Sequence, residues 1–252
     1  MKKKLTVIQI LLILLVIACA SVIFKYFYDA KHSQNTYDEL RNTVEKKREE
    51  DASGGYEVKR SENGMLELYY DLYRENGDMA GWIRIPDTNI DYPVVKCADN
   101  EFYLNKDFYK KYQQNGTPFI DYQCNDNSLN TIIYAHNMKN GGMFAPLLKY
   151  ADKEFYAKHK YIFYDTLYDK GKYEIISVFT TVVGDKNEFK YYEYSNIETE
   201  EQFNKYADTV KTLSKYDTDT TVTFGEKLIT LSTCAYHNTN ERFVVTAKKI
   251  EF

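Results

Sequence analysis

The stretch TLSTCAYHNTNERFVV, residues 230–245, ends one alternating apolar run on Cys234 and begins the next beside Arg242. A thiol close to a permanent cation gives up its proton more readily, and a guanidinium donates hydrogen bonds to the oxyanion formed when sulfur attacks a carbonyl. A thiol nucleophile also needs a proton partner. The sequence offers four histidines. His32 lies close after the N-terminal apolar run and His159 sits in the charged segment DKEFYAKHK, so both read as solvated surface residues. His237 is three residues from Cys234 and within reach of it, but its loop position equally suits an exposed side chain. His136 ends the run TIIYAH and precedes NMKNGG, a strand exit where a rigid scaffold meets a loop. His136 is therefore the expected acid/base, taking the proton of Cys234 and returning one to a leaving amine.

Two other uses of the cysteines compete with this reading. Cys234-Ala-Tyr-His237 has metal-ligand spacing, and Cys97 with Cys124 would complete a Cys3His zinc site. No second paired motif accompanies it and the segments are scattered, so neither a metal nor another cofactor is expected. Cys97 and Cys124 read either as a disulfide or, preferably, as two small core residues. With Cys19 inside the N-terminal apolar run, three cysteines remain, and an odd number leaves at least one unpaired.

The elements that must position these groups are mostly strands. In residues 228–234, alternation sends Ile229, Leu231 and Thr233 to one face and Leu228, Thr230, Ser232 and Cys234 to the other. In the following run Phe243, Val245 and Ala247 share a face opposite Arg242, Val244 and Thr246. Joining Ile229 and Leu231 to Phe243 and Val245 in a core brings Cys234 and Arg242 out together on the opposite face. Strands are expected at 82–85, 90–96, 117–121, 130–135, 160–165, 172–182, 219–223, 227–233 and 241–250. About eight strands in one domain predict a closed barrel or a sandwich. Helical insertions are expected at 143–158 and 199–214, the second opening on a threonine cap with carboxylates in its first turn. Tyrosine at 25 and phenylalanine at 14, against one tryptophan and four prolines, agree with a β-rich body.

The N-terminus is built differently. Lys2, Lys3 and Lys4 precede an apolar run from Leu5 to Phe24, long enough to cross about 30 Å of hydrocarbon. The lysines predict a single-pass anchor with residues 1–4 in the cytoplasm and the body outside the membrane. A removable signal peptide ending near Ala18-Cys19-Ala20 is the alternative, with a lipoprotein-like site at Val16–Cys19 as a third; all three export the body. Residues 25–64 read as a charged stalk and N-terminal helix, either a stalk or a docking helix, in which Tyr37, Leu40 and Val44 form one weak apolar stripe. Helical spacing returns at Leu66, Tyr69, Leu72 and Tyr73, where the domain of residues 65–252 begins. The chain carries 33 basic against 37 acidic residues; without the three N-terminal lysines the balance is 30 against 37, or −7. So acidic a body is not a non-specific nucleic-acid binder.

TLSTC followed by Arg242, with IIYAHN upstream and an N-terminal anchor, resembles the sortases, membrane-tethered cysteine transpeptidases of Gram-positive bacteria. GWIRIPDTNIDYPVV (81–95) and DNEFYL (99–104) resemble class B members in particular, as do the two N-terminal helices and the long helical insertion before the last strands. The resemblance spans residues 65–252. It implies an eight-stranded barrel whose Cys234 cleaves an LPXTG-like C-terminal sorting signal after its threonine, leaving a thioacyl enzyme that a peptidoglycan amine resolves. It further implies His136 as acid/base, Arg242 as oxyanion or substrate holder, and Asn100, Leu104 and Ser232 along the signal groove. Class B enzymes need no calcium. The sequence departs from some class B members after the nucleophile: Ala235 and Tyr236 stand where acidic residues can occur, and the spacing from cysteine to arginine is shorter. A hydrolytic cysteine protease and a non-enzymatic exported β-rich adhesin are the competing functions.

Overall fold

The strands wrap into a barrel because their alternating apolar residues need one shared interior and closure leaves no sheet edge open. In the computed structural model, which describes residues 6–53, 59–235 and 240–250, the eight strands are β1 (Met79–Arg84), β2 (Asp91–Val95), β3 (Phe119–Ile120), β4 (Asn130–Tyr134), β5 (Tyr161–Thr166), β6 (Lys172–Val182), β7 (Leu228–Cys234) and β8 (Glu241–Ile250). Of residues 26, 29, 30, 32, 33, 51–53 and 234 the backbone alone is described. Around the barrel the order is β1-β2-β3-β4-β7-β8-β6-β5, and β5 pairs back onto β1. The β2–β3 and β4–β7 pairs are parallel and the others antiparallel.

Ile133, Leu231 and Val245 lie in register across β4, β7 and β8 and are fully buried, as are Ile229 and Ala247. This is the expected core face. The opposite face of the same strands is buried as well, because the long β6–β7 connection folds over it. That connection carries the helix α4 (Glu200–Leu213), capped by a reciprocal Thr199–Gln202 capping box. Tyr206 of α4 places its hydroxyl 2.6 Å from Thr230 Oγ1 and 3.2 Å from Thr246 Oγ1, while Thr230 donates to Asn130 Oδ1 at 2.8 Å. A buried hydroxyl without a partner costs about 1–3 kcal/mol, so a threonine-rich outer face tolerates cover only if the cover supplies hydrogen bonds.

The N-terminal charged stretch is no detached stalk. One helix, α1 (Val7–Ser53), runs 47 residues, about 70 Å at 1.5 Å each. Its first part, Val7–Lys25, is apolar and none of it is buried against the rest of the chain. Farther along, Tyr37, Leu40 and Val44, spaced i, i+3, i+7, are buried against the body. The Tyr37 hydroxyl donates to the Gly116 carbonyl at 2.6 Å, and Lys47 pairs with Asp71 of α2 (Glu67–Glu75) at 2.7 Å.

Two expected elements differ from the structure. Residues 219–223 form no strand. Asp219 has φ 57°, Lys211 Nζ donates to the Thr220 carbonyl at 2.9 Å, and the Thr223 amide donates to Glu226 at 2.6 Å. The alternating threonines carry β propensity, but they are held by side-chain bonds and not by a neighbouring strand. The helical stretch expected at 143–158 is two pieces, a 3-10 helix Ala145–Ala151 and α3 (Lys153–Lys158). Asp152 is extended between them and its carboxylate accepts the Glu154 amide at 2.8 Å, which starts a new helix instead of continuing the first.

Candidate active site

The parallel β4–β7 pair sets the level of the site. Tyr134 is the register partner of Ser232, and the Ala135 amide still donates to the Ser232 carbonyl at 3.3 Å. Both strands run the same way, so His136 and Cys234, each two residues farther on, leave the barrel abreast. On the other side Cys234 is the register partner of Arg242. The neighbouring Ala235–Glu241 pair is hydrogen bonded through the Ala235 amide at 2.9 Å, which makes Cys234–Arg242 the non-hydrogen-bonded kind of pair, with Cα atoms about 4.5 Å apart. Three consecutive strands thus deliver His136, the Cys234 backbone and Arg242 to one end of the barrel. His237 lies outside the described residues.

A cavity of about 460 Å³ opens at that end, and His136, Arg242, Asn100, Leu104 and Ser232 all line it. The 3-10 turn Phe102–Asn105 brings in Leu104, whose carbonyl sits 2.8 Å from His136 Nε2. A carbonyl only accepts, so Nε2 carries the hydrogen and Nδ1 is the nitrogen able to take a proton. Gly116 keeps this contact compact. Its φ is 61°, and a Cβ there would stand 2.6 Å from the Leu104 carbonyl oxygen. The Tyr37 hydroxyl holds Gly116 from the other side, so α1 braces the loop on which His136 leans.

Asp121, Tyr134 and Tyr191 also line the cavity and were not singled out by the sequence reading. Asp121 is only 3% exposed, yet its carboxylate accepts the Asn100 amide at 3.0 Å, the Tyr134 hydroxyl at 2.9 Å and the Gln123 backbone amide at 2.9 Å. Burial, followed by the nearby Tyr191 and Asp121, holds Tyr134 far above the ordinary phenol pKa, so it stays a neutral donor. Tyr191 contributes a hydroxyl 2.6 Å from Ser232 Oγ. Tyr134 was legible in principle, because it precedes His136 by two residues and shares its strand face. Tyr191 sits in the β6–β7 connection and carries no periodic signal.

Arg242 is half-buried, with Nη1 donating to the Glu241 carbonyl at 3.2 Å. His159, expected on the open surface, is half-buried: its ring stacks on Phe155 at 4.0 Å and Nδ1 donates to the Phe155 carbonyl at 2.9 Å at the end of α3. Cys97 and Cys124 stand as separate free thiols. Cys124 is buried, with the Ile132 amide donating to its sulfur at 3.4 Å, and burial pushes its thiol up to about 11. Alkylation of the native protein with iodoacetamide near pH 7.5 is therefore expected to modify Cys234 while leaving Cys124 untouched until denaturant is added. Peptide mapping by mass spectrometry checks this, and labelling of Cys124 at the rate of Cys234 would contradict the burial. Among the described residues no group of histidine, cysteine and carboxylate side chains is placed to hold a metal ion.

The comparisons with known proteins agree with this geometry. Residues 83–250 match the Sortase domain model. The chain is 31% identical to Sortase B of Staphylococcus aureus over 255 residues, covering 100% of this chain and 98% of that protein. It is 35% identical to Sortase B of Listeria monocytogenes over 228 residues, 88% of this chain and 87% of the relative. A solved Staphylococcus aureus sortase B–substrate complex superposes with a TM-score of 0.77 at 28% identity, over 89% of this chain and 99% of that one. A mixed eight-stranded barrel, a histidine and an arginine flanking a strand-end cysteine, and matches of this extent lead to one conclusion: the chain belongs to the sortase family.

Proposed function

We propose that this sortase, a cysteine transpeptidase that anchors surface proteins to the cell wall, performs its chemistry with Cys234 as nucleophile, His136 as acid/base and Arg242 as oxyanion and substrate holder. The observation that carries the assignment is that β4, β7 and β8 bring His136, two residues past the end of β4, the Cys234 backbone and Arg242 to one level, with His136 and Arg242 lining one cavity there. The Cys234 sulfur attacks the threonine carbonyl of an LPXTG-like sorting signal, and Arg242 donates to the tetrahedral oxyanion. The C–N bond breaks as His136 protonates the departing amine, leaving a thioester. A peptidoglycan amine then attacks the thioester carbonyl, gives its proton to His136 and expels the thiolate. Asn100, Leu104 and Ser232 line the groove that receives the signal. Asn100 is held for this on both sides, its amide nitrogen on Asp121 and its oxygen accepting the Tyr122 amide at 3.0 Å.

The apolar start of α1 fits a single-pass anchor, with Lys2–Lys4 inside and residues 65–252 outside as the catalytic domain. The same helix continues without a break from this apolar part into the part docked on the barrel.

Incubation with a sorting-signal peptide and either triglycine or a diaminopimelate-type amine is expected to yield the peptide–amine adduct, read by mass spectrometry. Hydrolysed peptide alone, whatever the amine, would replace the transfer step with hydrolysis.

A further inference from the structure

A second cavity, about 360 Å³, lies between α1 and the barrel and shares no lining residue with the catalytic one. Four carboxamides from four separate segments line it: Gln34 of α1, Asn89 between β1 and β2, Asn115 of the loop before β3, and Asn140 of the hairpin that follows His136. Among the described residues its one cation, Arg41, is ion-paired with Asp38 and packs 5.5 Å over the Tyr92 ring, and Asp91 adds a second carboxylate to the wall. With one guanidinium against two carboxylates, the described lining offers no surplus positive charge for a phosphate. Asn89 Nδ2 donates to the Gly141 carbonyl at 3.4 Å and Asn140 Oδ1 accepts the Gly142 amide at 3.1 Å. A carboxamide has an acceptor oxygen and two N–H donors, so each of these two keeps both kinds of capacity, the match for groups that donate and accept at once. Sugar hydroxyls and acetamido groups are of that kind.

The position agrees with the chemistry. Gln34 lies nine residues beyond Lys25, where the apolar span ends, or about 14 Å along the helix. On the barrel side the wall includes Asn140, Gly142 and Met143, which belong to the hairpin closed by the Asn137–Met143 bridge. The Phe144 amide returns to the His136 carbonyl at 2.9 Å, so one short hairpin has His136 at its base and this cavity along its flank. An extended peptide of three to five residues reaches about 10–18 Å, and only the seven-residue hairpin 137–143 lies in sequence between His136 and Phe144.

We infer that the carboxamide-lined cavity between α1 and the 137–143 hairpin binds the N-acetylated amino-sugar portion of the cell-wall acceptor, so that its peptide stem leads the amine to the catalytic cavity. The inference rests on the reading that a peptidoglycan amine resolves the thioester, and it adds where the rest of that molecule is held. The cavity acts as a selectivity site for the second half-reaction and leaves the first untouched.

The test uses the full chain in lipid nanodiscs and, as probe, an N-acetylglucosaminyl-N-acetylmuramyl dipeptide with no acceptor amine. Calorimetric titration is expected to show saturable binding, weakened about tenfold or more by Asn89→Leu and by Gln34→Leu. Both positions are exposed, so the fold should survive, and unchanged melting temperatures check this. Cleavage of sorting-signal peptide and KM for triglycine should stay at wild-type values in both variants, while KM for a glycan-linked amine rises about tenfold. Absence of saturable binding to the wild-type chain, or binding indifferent to both substitutions, overturns the inference. Because the probe lacks an amine, a chain that hydrolyses but never transfers would still report on the cavity, and that separate failure would appear as missing triglycine adduct.

Discussion

Cys234→Ala is expected to lower sorting-signal cleavage by about 10⁵–10⁶-fold, equivalent to about 7–8 kcal/mol of transition-state stabilisation. Neither Cys97 nor Cys124 can substitute. Among the described side chains, Cys124 is buried with its proton held to about 11, and Cys97 donates to the Asp99 carbonyl at 3.2 Å and lines neither the catalytic cavity nor the carboxamide-lined one. The fold should be unaffected, since the pairing of β7 with β4 and β8 uses backbone groups that alanine retains. Quenched-peptide cleavage with circular dichroism on the same sample measures both. Residual turnover within tenfold of wild type would show that the nucleophile lies elsewhere.

His136→Ala is the second large effect, a loss of about 10³–10⁴-fold in kcat/KM. His136 has two duties in one cycle, accepting the thiol proton and donating to the leaving amine, so its removal should slow thioester formation whatever the acceptor amine. Residues that work as one unit lose their effects together, and Cys234→Ala/His136→Ala should be no slower than Cys234→Ala alone. The loss should also exceed any caused by His237→Ala; an equal loss from His237→Ala would transfer the acid/base role to that residue. Structural damage is unlike this outcome, because His136 makes its Nε2 contact with a backbone carbonyl at the cavity rim and not with the barrel interior.

Much of this site was legible before any fold was known. Alternation in 228–234 and 241–250 put Cys234 and Arg242 on a shared face, and the antiparallel pairing of β7 with β8 makes them register partners. The position of His136 at the end of TIIYAH needed only the recognition of a strand exit. The apolar stripe Tyr37, Leu40, Val44 announced a docking surface on an otherwise charged helix, and all three are buried. What escaped was the cover. The outer face of β7 read as the side away from the core, yet Tyr191 and Tyr206 bury Ser232 and Thr230 there. A threonine-rich face looks the same in sequence whether water or a tyrosine hydroxyl satisfies it. Asp121 escaped for a similar reason: a carboxylate at the end of a strand reads as solvent-facing until three donors converge on it.

The primary structure by itself determined which segments alternate, which residue ends each run, and hence which side of each strand bears chemistry. It also determined an apolar run that, by length and composition, is long enough to cross a membrane. Which strands become neighbours was decided only in three dimensions. The pairing that sets His136 beside Cys234 joins β4 to β7, elements about a hundred residues apart, as Ala135 and Thr233, 98 positions apart, illustrate. Alternation tells a strand which face to bury but not whom to pair with; closure of all eight strands around one interior, with the insertion folded outside, makes that choice.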